Sequence, residues 1–384
     1  MNVRAKISGV FLRTSISDDV NVVYSSVRAG LRSLQRVPYE LAVGGEHTSH
    51  DVFCYPIESL MGYGYKQKII DLLTFSIGQK LKFMNGHKKA ERICVHVVLP
   101  DDGKDESGDI GEDVMSSLME FLGETLRIRL STSFVSDGTL RALDKCITLL
   151  EEDECDHVFF GGVDSLINSK MIHTYAENNR LLTDKLSDGT GLGEGLAFAH
   201  LSKPDQQESK TPRAYISTIS YAEEPNNGMA ESHHLTGLAN SVQALLSEDG
   251  LTARDIHTIV HNYGGDISSV YERHQFIHDI WPNELPEDLR VAIQLGEIEH
   301  ANNPNEYTPE EICPTQTLGE LGAASVPVQL ALAAGFYKSE NLFVRFGIPA
   351  VNKILLCESN NTNWRGAMCV VNPKHQNRDV LWAT

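Results

Sequence analysis

The stretch from Arg127 to Asn168 constrains the fold more tightly than any other, because it holds a strand, a sharp turn, a helix and a second strand in immediate succession. Ser131 to Val135 runs extended into a turn at Ser136-Asp137-Gly138, and Thr139 to Leu150 then carries Leu140, Leu143, Ile147 and Leu150 at helical spacing. After the acidic break Glu151-Glu152-Asp153-Glu154, the run His157-Val158-Phe159-Phe160 reads as a buried strand. Gly161-Gly162 closes it, letting backbone pass where a side chain would not fit. A strand that ends abruptly at a helix N-terminus is a place for a nucleophile, since the unpaired amides and the helix dipole favour an anion there.

Length and charge narrow the classes. At 384 residues, 41% hydrophobic and 22% charged, the chain has room for a large core and the balance of a soluble globular protein. A formal net charge of −19 argues against nucleic acid or an anionic membrane surface as partner, because both require clustered Lys and Arg. No apolar run is long enough to span a bilayer, and the first residues lead into a strand-like segment instead of a secretory signal. Seven scattered cysteines form no metal-like pair, so buried thiols in a reducing, cytoplasmic compartment are expected, with no metal and no cofactor.

Along the chain, strands and helices alternate. The periodicity predicts a strand over 3–12 and helices over 21–34, 66–83 and 114–122. It predicts further strands over 93–99 and 196–201, and an irregular excursion over 39–65. Beyond the polar segment 202–212 it predicts strands over 214–221, 256–261, 291–295, 353–359 and 366–372, and helices over 235–246, 268–278 and 322–337. Thr252 and Asp255 have the spacing of a capping box. His274 and His278, four apart on a helix, have a spacing that binds zinc, but no third ligand accompanies them. Gly189, Gly191, Gly193 and Gly195 resemble a phosphate loop without the strand and helix such a loop requires.

The segment Gly161-Gly162-Val163-Asp164-Ser165-Leu166, followed by Asp188-Gly189-Thr190-Gly191-Leu192-Gly193-Glu194-Gly195, resembles the β-ketoacyl synthase branch of the thiolase-like superfamily in order and spacing. The resemblance implies an α/β fold of the thiolase type, a duplicated five-layer αβαβα arrangement of two similar halves, 1–205 and 206–384. It also implies a dimer, with the strand over Arg127 to Ser133 near the shared axis.

The same resemblance locates the positions of chemistry. Counting back from Gly161-Gly162 without a gap puts Ser136 where the family has its catalytic Cys. A hydroxyl there needs an adjacent base to act as a nucleophile. The family's first histidine segment corresponds to Val260-His261-Asn262-Tyr263-Gly264, with Tyr263 at the histidine position and His261 two residues earlier. Strand alternation lets His261 face the same way as Tyr263, either in a shifted role or as a strand-end residue bonded locally. The second histidine position falls on Gly319 or Glu320 in Thr317-Leu318-Gly319-Glu320-Leu321-Gly322, and the family's preceding Lys is replaced by Pro314 or Thr315. Asn360 to Arg365 stands where the family carries a flexible glycine-rich loop.

Three functions follow as expectations. One is a catalytically impaired synthase homologue, partnering an active ketosynthase in the manner of a chain-length factor in type II fatty-acid or polyketide biosynthesis, as a homodimer or heterodimer. The second is an acyltransferase or condensing enzyme in which Ser136 carries the acyl group, assisted by His261, Tyr263 or Glu320. The third is a non-catalytic module that binds an acyl chain. An acidic acyl carrier protein would need a basic patch, for which Lys66, Lys68, Lys80, Lys82, Lys88 and Lys89 are the candidates.

Overall fold

Runs such as Ile93–Leu99 and Val158–Phe160 have no polar face to give to water, so strands built from them must be covered on both sides. The computed structural model describes residues 3–43, 46–80, 91–101, 104–105, 108–109, 116, 127–206, 212–227, 233–282, 285–298, 307–345, 352–359 and 363–373. Its first part contains β1 (Ala5–Thr14), α1 (Val20–Arg28), a hairpin of β2 (Gln35–Val43) and β3 (Glu46–Tyr55), α2 (Tyr65–Lys80) and β4 (Arg92–Leu99). A short ribbon of β5 (Lys104–Asp105) and β6 (Gly108–Asp109) follows, then β7 (Arg127–Phe134), α3 (Thr139–Glu151), β8 (His157–Ser165), α4 (Ser169–Glu177) and β9 (Leu192–Ser202).

The second part contains β10 (Ala214–Glu223), α5 (Gly237–Asp249), β11 (Thr258–His261), α6 (Ile267–Ile280), α7 (Glu287–Gln294) and β12 (Glu310–Ile312). It ends with α8 (Thr315–Leu318), α9 (Ser325–Arg345), β13 (Lys353–Ser359) and β14 (Trp364–Val371).

The strand order makes the duplication visible. The first sheet runs β7-β4-β8-β9-β1 and the second runs β12-β11-β13-β14-β10. Numbered within its own repeat, each sheet reads third, second, fourth, fifth, first. The directions agree as well: the second strand pairs in parallel with the third and fourth, and the fifth pairs antiparallel with the fourth and first. The two sheets meet where β1 and β10 pair antiparallel, Ala5 opposite Ile216 and Ile7 opposite Ala214.

Side-chain alternation along the strands then builds five layers. On the outer face of the first sheet, Ile69, Leu72 and Leu73 of α2 cover Ile93, Val95, Val97 and Leu99. Between the sheets, α3 and α9 pack on Cys94, Val98, Val158 and Phe160 from one side and on Ile354, Leu356, Met368 and Val370 from the other. The remaining face of the second sheet, with Leu355, Cys357, Ala367 and Cys369, lies under α5 and α6. A Cβ on Gly162 would collide with the carbonyl of Ala323, so the glycine pair of β8 marks where the turn leading into α9 presses on the sheet.

Three expectations need correction, and one strand was not foreseen. Most of 39–65 is the β2–β3 hairpin, whose β3 pairs with the glycine-rich start of β9, instead of an irregular excursion. Residues 291–295 belong to or follow helix α7: Glu287 and Asp288 favour its N-terminus, and since it buries no residue no packing demands a strand. The three-residue β12 is too short to leave a periodic signal. The first helix ends at Arg28, with Gly30 at positive φ just beyond. The Thr252–Asp255 capping box is present, and the helix expected over 114–122 lies outside the described residues.

One buried ion pair ties the first half together. The Glu194 carboxylate, fully buried, lies 2.8 Å from Lys68 Nζ and accepts from Ser165 Oγ at 2.7 Å and from the backbone N–H of Ile57 at 2.7 Å. Lys68 is therefore not available to a surface patch, while Lys82, Lys88 and Lys89 lie outside the described residues. Lys68→Met should leave the carboxylate buried and uncompensated and lower unfolding free energy by about 3–5 kcal/mol. Urea denaturation measures this; a loss within about 0.5 kcal/mol, the range of ordinary surface substitutions, would show that the pair is not needed.

Candidate functional site

The elbow between β7 and α3 forms as the sequence predicts in its outline and differs in its details. Strand β7 stops at Phe134, and Val135–Asp137 makes one 3-10 turn in which the Phe134 N–H donates to Asp137 Oδ2 at 3.2 Å. Ser136 is exposed on this turn, and its backbone N–H donates to Asp101 Oδ1 at 3.0 Å. It does not lie at the bottom of a pocket. Gly138 at φ 84° redirects the chain into α3, leaving that helix with no side chain at its N-cap.

The amides that would favour an anion are already occupied. Thr139 N–H donates to Glu358 Oε1 at 2.7 Å and Leu140 N–H donates to Glu358 Oε2 at 2.8 Å, so a carboxylate from β13 of the second half sits on the N-terminus of α3. Glu358 is buried, which raises its carboxyl above the ordinary range, and the two amides only partly oppose the rise. Sequence reasoning missed Glu358, although a lone acidic residue closing the apolar run Ile354-Leu355-Leu356-Cys357 was the signal.

In the second half His261 and Tyr263 come together, their rings 5.1 Å apart. His261 Nε2 lies 3.2 Å from Glu311 Oε2, and Arg273 holds the same carboxylate in a fork, at 2.6 and 2.7 Å. Burial alone would lower the imidazole, but neighbouring Cys313 and Glu311 outweigh it and raise His261 to about 9. Burial would raise Glu311, and His261 with Arg273 instead pull it down to about 2. Tyr263 is buried beside Ser359, and desolvation pushes its phenol well up.

Glu320 belongs to a different cluster. Its side chain meets Tyr175 and lies near Arg180 and Asp266, burial raising its carboxyl against the pull of Arg180. Arg180 pairs with Asp266 at 3.0 Å, and Thr190 Oγ1 donates to the same carboxylate at 3.2 Å. The backbone of Glu320 bonds in both directions to the glycine-rich segment, its N–H to Gly191 O at 2.9 Å and its C=O from Gly193 N–H at 2.9 Å. Gly319, at φ 77°, would set a Cβ 2.6 Å from the Tyr55 ring and 2.8 Å from Gly193 N. The run from Asp188 to Gly195 is thus a seam of close backbone approach between the halves. Its last residues begin strand β9, four residues before the strand expected over 196–201.

Among the described residues, no hydrogen bond, ion pair or ring contact joins Ser136 to His261, Tyr263 or Glu320. Beside the elbow, Trp364 and Arg365, expected in a loop, open strand β14. Arg141 stacks on Trp364 with its guanidinium 4.6 Å from the ring centre. Arg365 is buried on Glu272 and Asn227. Residues 360–362 of that segment lie outside the described residues.

No protein-family model matches the sequence, and no curated protein matches it. Solved structures do. The ishigamide ketosynthase/chain length factor shares 14% identity at a TM-score of 0.63, over 96% of this chain and 99% of that one. The ketosynthase (ApeO) in complex with its chain length factor (ApeC) from Xenorhabdus doucetiae shares 13% identity at a TM-score of 0.62, over 96% and 98%. The fold is that of the ketosynthases. A third match is AntDE:AntF, a type II polyketide synthase acyl-carrier protein in complex with its ketosynthase bound to the hexaketide. It has 11% identity and a TM-score of 0.68 over 97% of this chain and 100% of that one. At these identities the likeness is one of fold.

The His261–Glu311 pair has a defined pH window. Raised above its ordinary 6.5, His261 contributes stability that is full below that value and lost as pH rises through about 9. Depressed below its ordinary 4.5, Glu311 contributes stability that is full above that value and lost as pH falls toward about 2. Denaturation midpoints of wild type should therefore fall between pH 6.5 and 10 more steeply than those of His261→Gln, and the acid-side decline should be shallower in Glu311→Gln. Parallel pH curves for wild type and both variants would show that the pair is not ionised.

Proposed function

We propose that this protein is a non-condensing partner of an active β-ketoacyl synthase, a chain-length-factor-like subunit of type II fatty-acid or polyketide-type biosynthesis. The observation that carries the reading is the Glu358 carboxyl group on the α3 amides, because donors already held by an internal acceptor are not available to the thiolate or oxyanion that condensation creates there. Three further features support it. Ser136 is exposed and, among the described residues, no imidazole bonds its hydroxyl, Tyr263 in place of an imidazole is buried and strongly biased toward its neutral form, and Glu320 is engaged with Tyr175 and Arg180. Two of the structural neighbours are ketosynthase/chain length factor pairs.

The partner surface follows from sheet topology. Among the described residues, strand β7 lies at the edge of the first sheet and pairs only with β4. An edge of this kind invites strand pairing with another chain, and the thiolase-like resemblance puts the subunit axis beside it. With a net charge of −19 and Lys68 buried, docking of an acidic acyl carrier protein falls to the synthase subunit. The Ser136 acyltransferase reading gains no support, since a hydroxyl without a base in reach is a poor nucleophile.

Purified alone, the protein should not decarboxylate a malonyl thioester, and Ser136→Ala should change nothing. Losing one oxyanion donor typically costs about 10²–10³ in rate, and here the donors are occupied. Co-expression with a type II ketosynthase that keeps its Cys and two His should give a heterodimer in light scattering, with a buried interface above roughly 2,000 Å². Decarboxylation that disappears in Ser136→Ala would make the protein an enzyme. A stable monomer that ignores the synthase would instead leave a lone acyl-binding module.

A further inference from the structure

We draw no further inference here: the strongest candidate, the cavity of about 300 Å³ beside the β7 edge that Arg92, Cys94, Ile128, Arg129, Leu149 and Cys155 line, carries nothing, because its two guanidiniums are already held by Asp156 and Glu154 and nothing in the structure shows what covers it.

Discussion

Helix α3 begins inside the protein, where no water reaches its first amides, and that constraint organises the joint between the two halves. Helices α1, α4 and α6 meet the same need locally, with Asp19, Asn168 and Asp266 at their N-caps. At α3 the N-cap is Gly138, which has no side chain, so the acceptor must come from another element. Glu358 supplies it from β13, and Glu224 does the same at α5, accepting from Thr236 and Gly237 at 2.8 and 2.7 Å. Because α3 and α9 form the layer shared by both sheets, the Glu358 contact is also a bond between the repeats. Its carboxyl is raised by burial, so the ionised form carries a desolvation penalty that the two charge-assisted bonds only partly offset.

Much of the architecture was legible in the sequence, for a physical reason. Segments whose environment is fixed by burial, such as Ile93–Leu99, His157–Phe160 and the Thr139–Leu150 stripe, must display the apolar pattern of that environment, and all three were read correctly. The glycines of the family-like motif were legible because close backbone approach leaves no substitute, as Gly162 and Gly319 show. Elements held by pairing or charge instead of burial were not. The β2–β3 hairpin, the three-residue β12 and the fully unburied α7 carry no diagnostic period. The site was hardest. Ser136 follows from counting along the chain, but its exposure depends on a 3-10 turn, and Glu358 and Glu311 act on partners fifty or more residues away in the chain that no local pattern announces.

Three of the buried carboxylates are matched by cations, and others, such as Glu224 and Glu358, by backbone amides. Glu194 with Lys68, Asp266 with Arg180 and Glu272 with Arg365 each pair a buried carboxylate with a cation from a distant element. Such pairs add little net stability compared with apolar packing, but breaking one is costly, so they favour a single arrangement of the elements they join. Arg180 and Asp266 come from different repeats, and with Thr190 and Glu320 they draw the glycine-rich seam to the second sheet. The closeness of that seam is what lets Glu320 serve structure at a position where the resemblance would look for a proton donor.

The chemistry of the second half follows from one feature of parallel pairing. A side chain at the carboxyl end of a strand meets the residue in register on the next strand, not its sequence neighbours. At the β11 and β12 ends, that rule brings His261 to Glu311 of the neighbouring strand and leaves Tyr263, two residues further along, buried against the second sheet's outer core. The imidazole is therefore not simply missing from this half of the molecule. It stands two residues before Tyr263, held by Glu311, while the amides at the start of α3 are closed by Glu358. The polar groups at both places are thus closed by partners within the fold, the α3 amides by Glu358 and the His261 imidazole by Glu311.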